Sequence, residues 1–312
     1  MAEFITFGET MAVMAPCEVG KIGAVKDFSL RIAGAESNTA IGVSRLGHSS
    51  LWLSAVGNDP FGAYIKECVS NEGVDVSEVK VDPLHRTGMM FKEFIDGKTT
   101  VYYYRENSAL ANFSPSDIDE RIFDDAKILH LSGITPKLSE SARNSFYKLL
   151  SIAREREMLV SFDPNIRRKI WGNKDYTEEL RNLCLSSSVA LLGLGEAKAL
   201  SLGDEPREIA KSLANAGVKF SAVKDGDKGA YVSCGRETYF IPPVKCNSID
   251  PVGAGDGFNA GFISGLLEGR DILEAGRMGA VVGALATETV GDVDGYPSRV
   301  KLEKILEEIK NA

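Results

Sequence analysis

A chain of 312 residues, 44% of them hydrophobic, has the apolar content for one large α/β domain or two small ones. Its formal net charge of −8 argues against a nucleic-acid or membrane-surface binder as a whole, while leaving room for a local basic pocket. No apolar run reaches the length of a membrane span, and the opening MAEFITFGET lacks the basic stretch and apolar core of a signal peptide, so a soluble, cytoplasmic protein is expected.

In chain order, Phe4 to Phe7 is a short apolar strand candidate, and TAIGVSRL (39–46) has helical spacing ending at Gly47, a good C-cap. Residues 51–56 read as a buried strand and 61–69 as a helix that stops at Asn71-Glu72-Gly73. From Gly88 to Arg105, two strand-like runs flank Asp96-Gly97, a strong hairpin signal, and short segments around 12–15 and 22–32 are strand-like too. These are expected to form a small antiparallel sheet, from about 10–33 and 86–107, projecting as a lid that excludes water from a substrate; an ordinary edge hairpin fits the same pattern.

Beyond it come a strand at 128–132, a helix at 140–157, a strand at 159–162, a helix near 177–185 and a strand at 189–192. A helix at 206–216, a strand at 220–224 and helices at 255–267, 271–288 and 300–310 complete the series. Strands alternating with helices of this length imply an α/β fold with a mainly parallel sheet covered on both faces. No repeat, low-complexity run or Pro/Ser-rich linker divides the chain, so 1–312 reads as a single domain. The five cysteines (17, 68, 184, 234, 246) never form a C-x-x-C pair, which fits reduced thiols and offers no zinc site. The three histidines (48, 85, 130) have no nearby cysteine or histidine partner and read as structural.

The chemistry concentrates in DPVGAGDGFNAGF (250–262), where Gly253, Gly255 and Gly257 precede a helical pattern. Glycine amides at a helix N-terminus suit an anion, yet Asp256 puts a carboxylate among them. A dinucleotide fingerprint has different spacing, and a Walker A loop needs Gly-Lys-Ser/Thr where this chain has Gly257-Phe258. A plain glycine-rich helix start accounts for the glycines but leaves Asp250 incidental. In a third reading Gly253, Ala254 and Gly255 hold a transferring phosphoryl through backbone amides, while Asp256 takes the proton of the attacking hydroxyl as general base.

This stretch resembles the C-terminal D-x-x-G-A-G-D signature of the PfkB (ribokinase-like) family of carbohydrate kinases. Gly34-Ala-Glu-Ser-Asn38 and RLGHSSLWLSAVGNDPFG (45–62) are similar to the family's first glycine-rich signature, so the resemblance spans the chain. Within the family, FGETM (7–11), YYYRENSALANFSP (102–115), LHLSGITPKLS (129–139) and SFDPNIRRKIW (161–171) are most similar to the 2-keto-3-deoxygluconate kinases. The resemblance implies a ribokinase-like sandwich with a small β-sheet lid, ATP and Mg²⁺ as cofactors, a sugar or sugar acid as partner, and phosphorylation of a primary hydroxyl.

The resemblance also implies that Lys224, Gly226 and Gly229, in KDGDKGAYV (224–232), line the nucleotide site, although a hairpin turn explains them equally. Gly34 and Asn38 match substrate positions, with helix capping as the alternative, and Asp292 resembles a substrate-contacting aspartate. The family's Asn-x-x-Glu motif appears as Gly193-Leu-Gly-Glu196, so Glu196 is expected to act on Mg²⁺ through water without its usual asparagine. A monovalent cation is common among such kinases, and pairing of lid edges would give a homo-oligomer; no motif here specifies either.

From the residues themselves, Tyr103 and Arg105 share a strand face and are expected to point into the cleft, with Tyr102 and Tyr104 facing away. Asn165 and Arg167 follow a strand end, where open α/β sheets build ligand sites. They are expected at the nucleotide, and Arg167 also at a substrate carboxylate, unless Arg167-Arg168-Lys169 is a solvated basic turn. The expected activity is ATP-dependent phosphorylation of 2-keto-3-deoxygluconate to its 6-phosphate. The alternatives are a fructokinase or riboside kinase of the same family, a non-catalytic sugar sensor on this fold, and a dinucleotide-dependent redox enzyme.

Overall fold

The computed structural model describes residues 2–96 and 98–311, Lys98 by its backbone alone. Its strands are β1 (Phe4–Phe7), β2 (Met11–Pro16), β3 (Phe28–Ala33), β4 (Ser50–Gly57), β5 (Val79–Asp82), β6 (Met89–Ile95) and β7 (Lys98–Tyr104). They continue with β8 (Ile128–Ser132), β9 (Leu159–Asp163), β10 (Val189–Gly193), β11 (Phe220–Lys224), β12 (Ala230–Cys234) and β13 (Glu237–Ile241). The helices are α1 (Ala35–Arg45), α2 (Pro60–Asn71), α3 (Glu140–Glu155), α4 (Thr177–Ser186), α5 (Leu194–Ala199), α6 (Pro206–Asn215), α7 (Ala254–Leu267), α8 (Ile272–Ala286) and α9 (Arg299–Lys310).

Nine strands form the central sheet in the order β13-β12-β11-β10-β9-β8-β1-β4-β5, parallel from β11 through β5, with β12 and β13 antiparallel at one edge. Its strands are apolar almost throughout because both faces are covered, and alternate residues enter separate cores. Leu51, Leu53, Leu129, Leu131 and Leu192 pack with Phe146 and Leu149 of α3 on one face. Trp52, Val56, Ile128 and Leu191 pack with Ile41 of α1 and Phe258 and Phe262 of α7 on the other. His130 is buried and its Nδ1 meets Ser161 Oγ at 3.0 Å; burial pushes the imidazole down to about 4, so it stays neutral in the core.

A separate four-stranded sheet, in the order β3-β2-β6-β7, is antiparallel except for β2 beside β6. Met11, Val13, Met90, Val101 and Tyr103 cluster on one face, while Tyr102 and Tyr104 are exposed on the other. The expected strand at 22–32 begins only at Phe28, because residues 21–25 turn, with Ala24 and Val25 N–H both donating to the Lys21 carbonyl. Of the Asp96-Gly97 turn, Asp96 has φ of +49° and Gly97 lies outside the described residues. Helix α1 starts at Ala35 rather than 39, extending back to an N-cap at Gly34, and α8 ends at Ala286 rather than 288. No helix among the described residues is long and apolar enough to cross a membrane.

Candidate active site

A cleft of about 1160 Å³ opens between the small sheet and the C-terminal ends of the central strands. Glu9 reaches it from beyond β1, Ile134 from beyond β8, and Asp163, Gly193 and Lys224 from the ends of β9, β10 and β11. Strand ends converge there because each parallel strand hands the chain to a crossover at that edge. The residues singled out by sequence line this one cleft: Gly34, Asn38, Tyr103, Arg105, Asn165, Arg167, Glu196, Lys224, Gly226, Gly229, the Gly253–Asp256 stretch and Asp292.

Gly253 caps α7 in a left-handed conformation, φ +79°, and a Cβ there would sit 1.8 Å from the Asp292 carbonyl oxygen. No side chain caps α7; Ala254 N–H makes a long 3.4 Å bond to the Pro251 carbonyl, while the amides of Gly253 and Gly255 have no hydrogen-bond partner among the described residues and border the cleft. The loop is braced by Tyr296, whose hydroxyl donates to the Gly253 carbonyl at 2.9 Å, and by Asp250 Oδ1, which accepts from Val252 N–H at 3.1 Å. Asp250 therefore shapes the turn, as its place ahead of Pro251 suggests.

Asp256 lies in the first turn of α7, and its Oδ2 accepts from Asn38 Nδ2 at 2.9 Å. The same amide donates to Asp292 Oδ2 at 3.2 Å, so Asn38, in the first turn of α1, clamps two carboxylates rather than capping its own helix. Burial pushes the Asp256 carboxyl up to about 7, helped by the charges of Asp163 and Asp292 and opposed by the Asn38 bond. Asp292 is also raised, chiefly by burial, with Lys92 acting against it.

Beneath the loop, Asp163 Oδ2 accepts from Lys224 Nζ at 3.0 Å and from Asn259 Nδ2 at 2.7 Å, and Lys224 also donates to Asn259 Oδ1 at 2.9 Å. Burial opposes ionisation of Asp163, but Lys224 and Asn259 outweigh it and hold the carboxyl below its usual range. Lys224 keeps one of its three N–H donors free beside Gly255. Glu196 binds the β9 and β10 ends together: Oε1 accepts from Ile166 N–H and Oε2 from Gly193 N–H, each at 2.8 Å. Its carboxyl is raised by burial and by Asp163.

Two arginines reach the cleft in different states. Arg105 is held by Glu9, with Nε 2.6 Å from Oε2, and Glu9 also accepts from Ser108 Oγ. Arg167 is exposed and has no ion-pair partner among the described residues. Two buried acceptors, Asn38 Oδ1 and Asn165 Oδ1, have no hydrogen-bond partner, so a donor on a ligand in the cleft would complete them.

Sequence reading missed Lys92 and Glu9. Lys92 sits on β6 opposite Val101, two residues from Met90, which faces Tyr103. The same two-residue periodicity that picked out Tyr103 would have found it once the hairpin register was set. Glu9 lay in plain view within FGETM, but nothing local announces a partner 96 residues away.

The pattern described as pfkB family carbohydrate kinase matches residues 1–299. The chain is 36% identical to the 2-dehydro-3-deoxygluconokinase of Bacillus subtilis (strain 168), covering 97% of this chain and 94% of that one. It is 31% identical to the enzyme of the same name from Thermoproteus tenax, over 98% and 94% of the two chains. A protein named as ribokinase II from E. coli, solved with ATP and Mg²⁺, superposes with a TM-score of 0.91 at 25% identity, covering 99% of this chain and 100% of that one. The chain belongs to the pfkB family of carbohydrate kinases.

Proposed function

We propose that this kinase transfers the γ-phosphoryl group of ATP to the primary hydroxyl of 2-keto-3-deoxygluconate, giving the 6-phosphate. The observation that carries the reading is a half-buried carboxylate, Asp256, in the first turn of a helix with an open N-terminus, sharing its cleft with the uncompensated Arg167. The likeness to two 2-dehydro-3-deoxygluconokinases supports the choice of sugar acid.

In this mechanism the amides of Gly253, Ala254 and Gly255 cradle the transferring phosphoryl, and Lys224 adds its free N–H to the phosphate side. Asp256 accepts the sugar hydroxyl's proton while the new O–P bond forms and the β–γ bridging bond breaks toward ADP. Asn38 fixes the carboxylate, and its vacant Oδ1 accepts from a sugar hydroxyl. Tyr103, Gly34 and Asp292 shape the sugar pocket, while Gly226, Gly229 and Asn165 border the nucleotide.

Among the described residues no group of three or more His, Cys, Asp or Glu side chains stands ready to hold a metal. That suits an ion carried mostly by water and phosphate oxygens. Bound there, Mg²⁺ would neutralise phosphate charge, with Glu196 reached through water by lone pairs its two backbone amides leave free. A monovalent cation near the nucleotide is supported by a fructokinase from Vibrio cholerae O395, 25% identical, solved with fructose, ADP and potassium. The small sheet acts as the lid of a single kinase domain, and pairing of its edge strands between copies would give a homo-oligomer.

Arg167→Ala tests the substrate. A carboxylate in a partly dry cleft must regain hydrogen bonds from a cation, and loss of one costs about 1.5–3 kcal/mol. KM for the sugar acid should therefore rise roughly 10- to 150-fold, with KM for a neutral hexose and for ATP little changed. Arg105→Ala should discriminate less, because Glu9 already compensates that guanidinium. Equal losses on acidic and neutral sugars would remove the carboxylate assignment and favour fructose or a riboside.

A further inference from the structure

Lys92 is a cation lining the cleft that the proposed mechanism leaves without a task. It projects from β6 on the face of the small sheet that carries Met90, Val101 and Tyr103, and only 8% of its surface is exposed. Its Nζ lies 3.6 Å from Asp292 Oδ1, while Asp292 Oδ2 shares the Asn38 amide with Asp256. A second cation of the same sheet grips the same loop: Arg31 of β3 donates to the Val290 carbonyl at 2.8 Å. The small sheet thus holds the 290–292 segment at two points, one of them the carboxylate coupled to the base.

We propose that Lys92 is a positioning residue: it fixes Asp292, and through Asn38 sets the orientation and basicity of Asp256, so that the base is poised when the small sheet is seated. The proposal rests on the reading of Asp256 as general base. Asp256 is faced by Asn38 from α1, Asp163 from β9, Lys224 from β11, Asp292 and Tyr296. Asp292 is faced by Lys92 from β6, Asn38 from α1, Asp250 ahead of α7, Tyr296 and Asp256. Among the described residues, Lys92 is therefore the cation of the small sheet that pairs directly with this otherwise acidic group, balanced from below by Lys224. A cation favours the ionised form of nearby carboxylates, so withdrawing it makes the base harder to ionise. Opening of the sheet would withdraw it in the same way, and the base would be less active without a seated substrate.

The test is the pH profile of kcat/KM for the sugar in Lys92→Met, Lys92→Arg and Asp292→Asn. Lys92→Met should move the acid limb up by about one pH unit, the order expected for a unit charge in partly buried surroundings, with a loss of rate that shrinks as pH rises. Lys92→Arg should restore the limb. Asp292→Asn, which removes an anion from the same group, should move it down, and this opposite sign stands even if Lys92→Met folds poorly. An unmoved limb in both Lys92→Met and Asp292→Asn overturns the proposal, as does a loss in Lys92→Met that is uniform with pH or confined to KM for ATP. Asp256→Asn, run alongside, separates the two claims: if it retains turnover the base assignment itself falls, whereas if it is inactive and the limbs stay put only the role of Lys92 falls.

Discussion

Asp256→Asn is expected to cut turnover by about 10²–10⁴ while preserving the fold and the binding of ATP, the usual worth of a positioned general base. Asparagine keeps the shape of the side chain and can still accept from Asn38, so the change removes a proton acceptor rather than a packing element. The same substitution should stabilise the protein. In the folded chain the Asp256 carboxyl is pushed up to about 7, well above its value in an unfolded chain, so ionising it opposes the fold. Its favourable contribution is complete below about pH 4 and is lost as pH rises through about 7. The asparagine variant should therefore unfold at higher denaturant than the parent at pH 8, by up to about 4 kcal/mol, and the difference should close near pH 4. Near-normal turnover would remove Asp256 from the mechanism; equal stability at pH 8 would mean its carboxylate is better solvated than its setting implies.

Asp163→Ala should be the most destabilising single change at the site, by about 3–5 kcal/mol, because it leaves the Lys224 ammonium without its anion in a nearly dry setting. Asn259 also loses the acceptor of its 2.7 Å bond, and Asn165 loses the carboxylate oxygen that holds its N–H at 2.9 Å. The sign with pH runs opposite to that of Asp256. The Asp163 carboxyl is held below its ordinary range, so the stability it gives is present above about pH 4 and is lost as pH falls through its lower folded value. Chemical denaturation of parent and variant at pH 7 and at about pH 3 should thus give a large gap at the first and a narrower one at the second. A gap below about 1 kcal/mol at pH 7 would mean that Lys224 finds other compensation. Where the variant folds, KM for ATP should rise, since Lys224 would no longer be held beside Gly255.

The body of the fold was legible because its signals are local. Helix α3, expected at 140–157, runs Glu140–Glu155, with Ser139 accepting from Ala142 N–H at its start and one apolar face buried. Strand β8 falls on the expected 128–132, since an uninterrupted apolar run has to be buried on both sides. Among the elements that escaped were two edge strands. In β5, Lys80 and Val81 are exposed, and β13 is exposed or half-buried at all but Ile241, so neither carries a strong apolar pattern.

The site divides along the same line. Residues within signatures, such as Gly253 and Asp256, could be named from the loop alone, and the left-handed turn at Gly253 gives a physical reason for glycine there. Pairings between distant segments could not be read in this way. Asn38 meets Asp256 across 218 residues, Arg105 meets Glu9 across 96, and Lys92 meets Asp292 across the sheet and the whole body of the chain. Sequence placed Arg105 and Arg167 alike in the cleft; only the three-dimensional partner of Arg105 separates a compensated guanidinium from a free one.

Phosphoryl transfer from ATP to a sugar acid can be read from ADP release with 2-keto-3-deoxygluconate, fructose and a riboside under identical conditions. One uncompensated guanidinium meeting a carboxylate predicts a kcat/KM for the sugar acid at least about tenfold above either neutral sugar. Equal or greater kcat/KM with fructose or the riboside would contradict it.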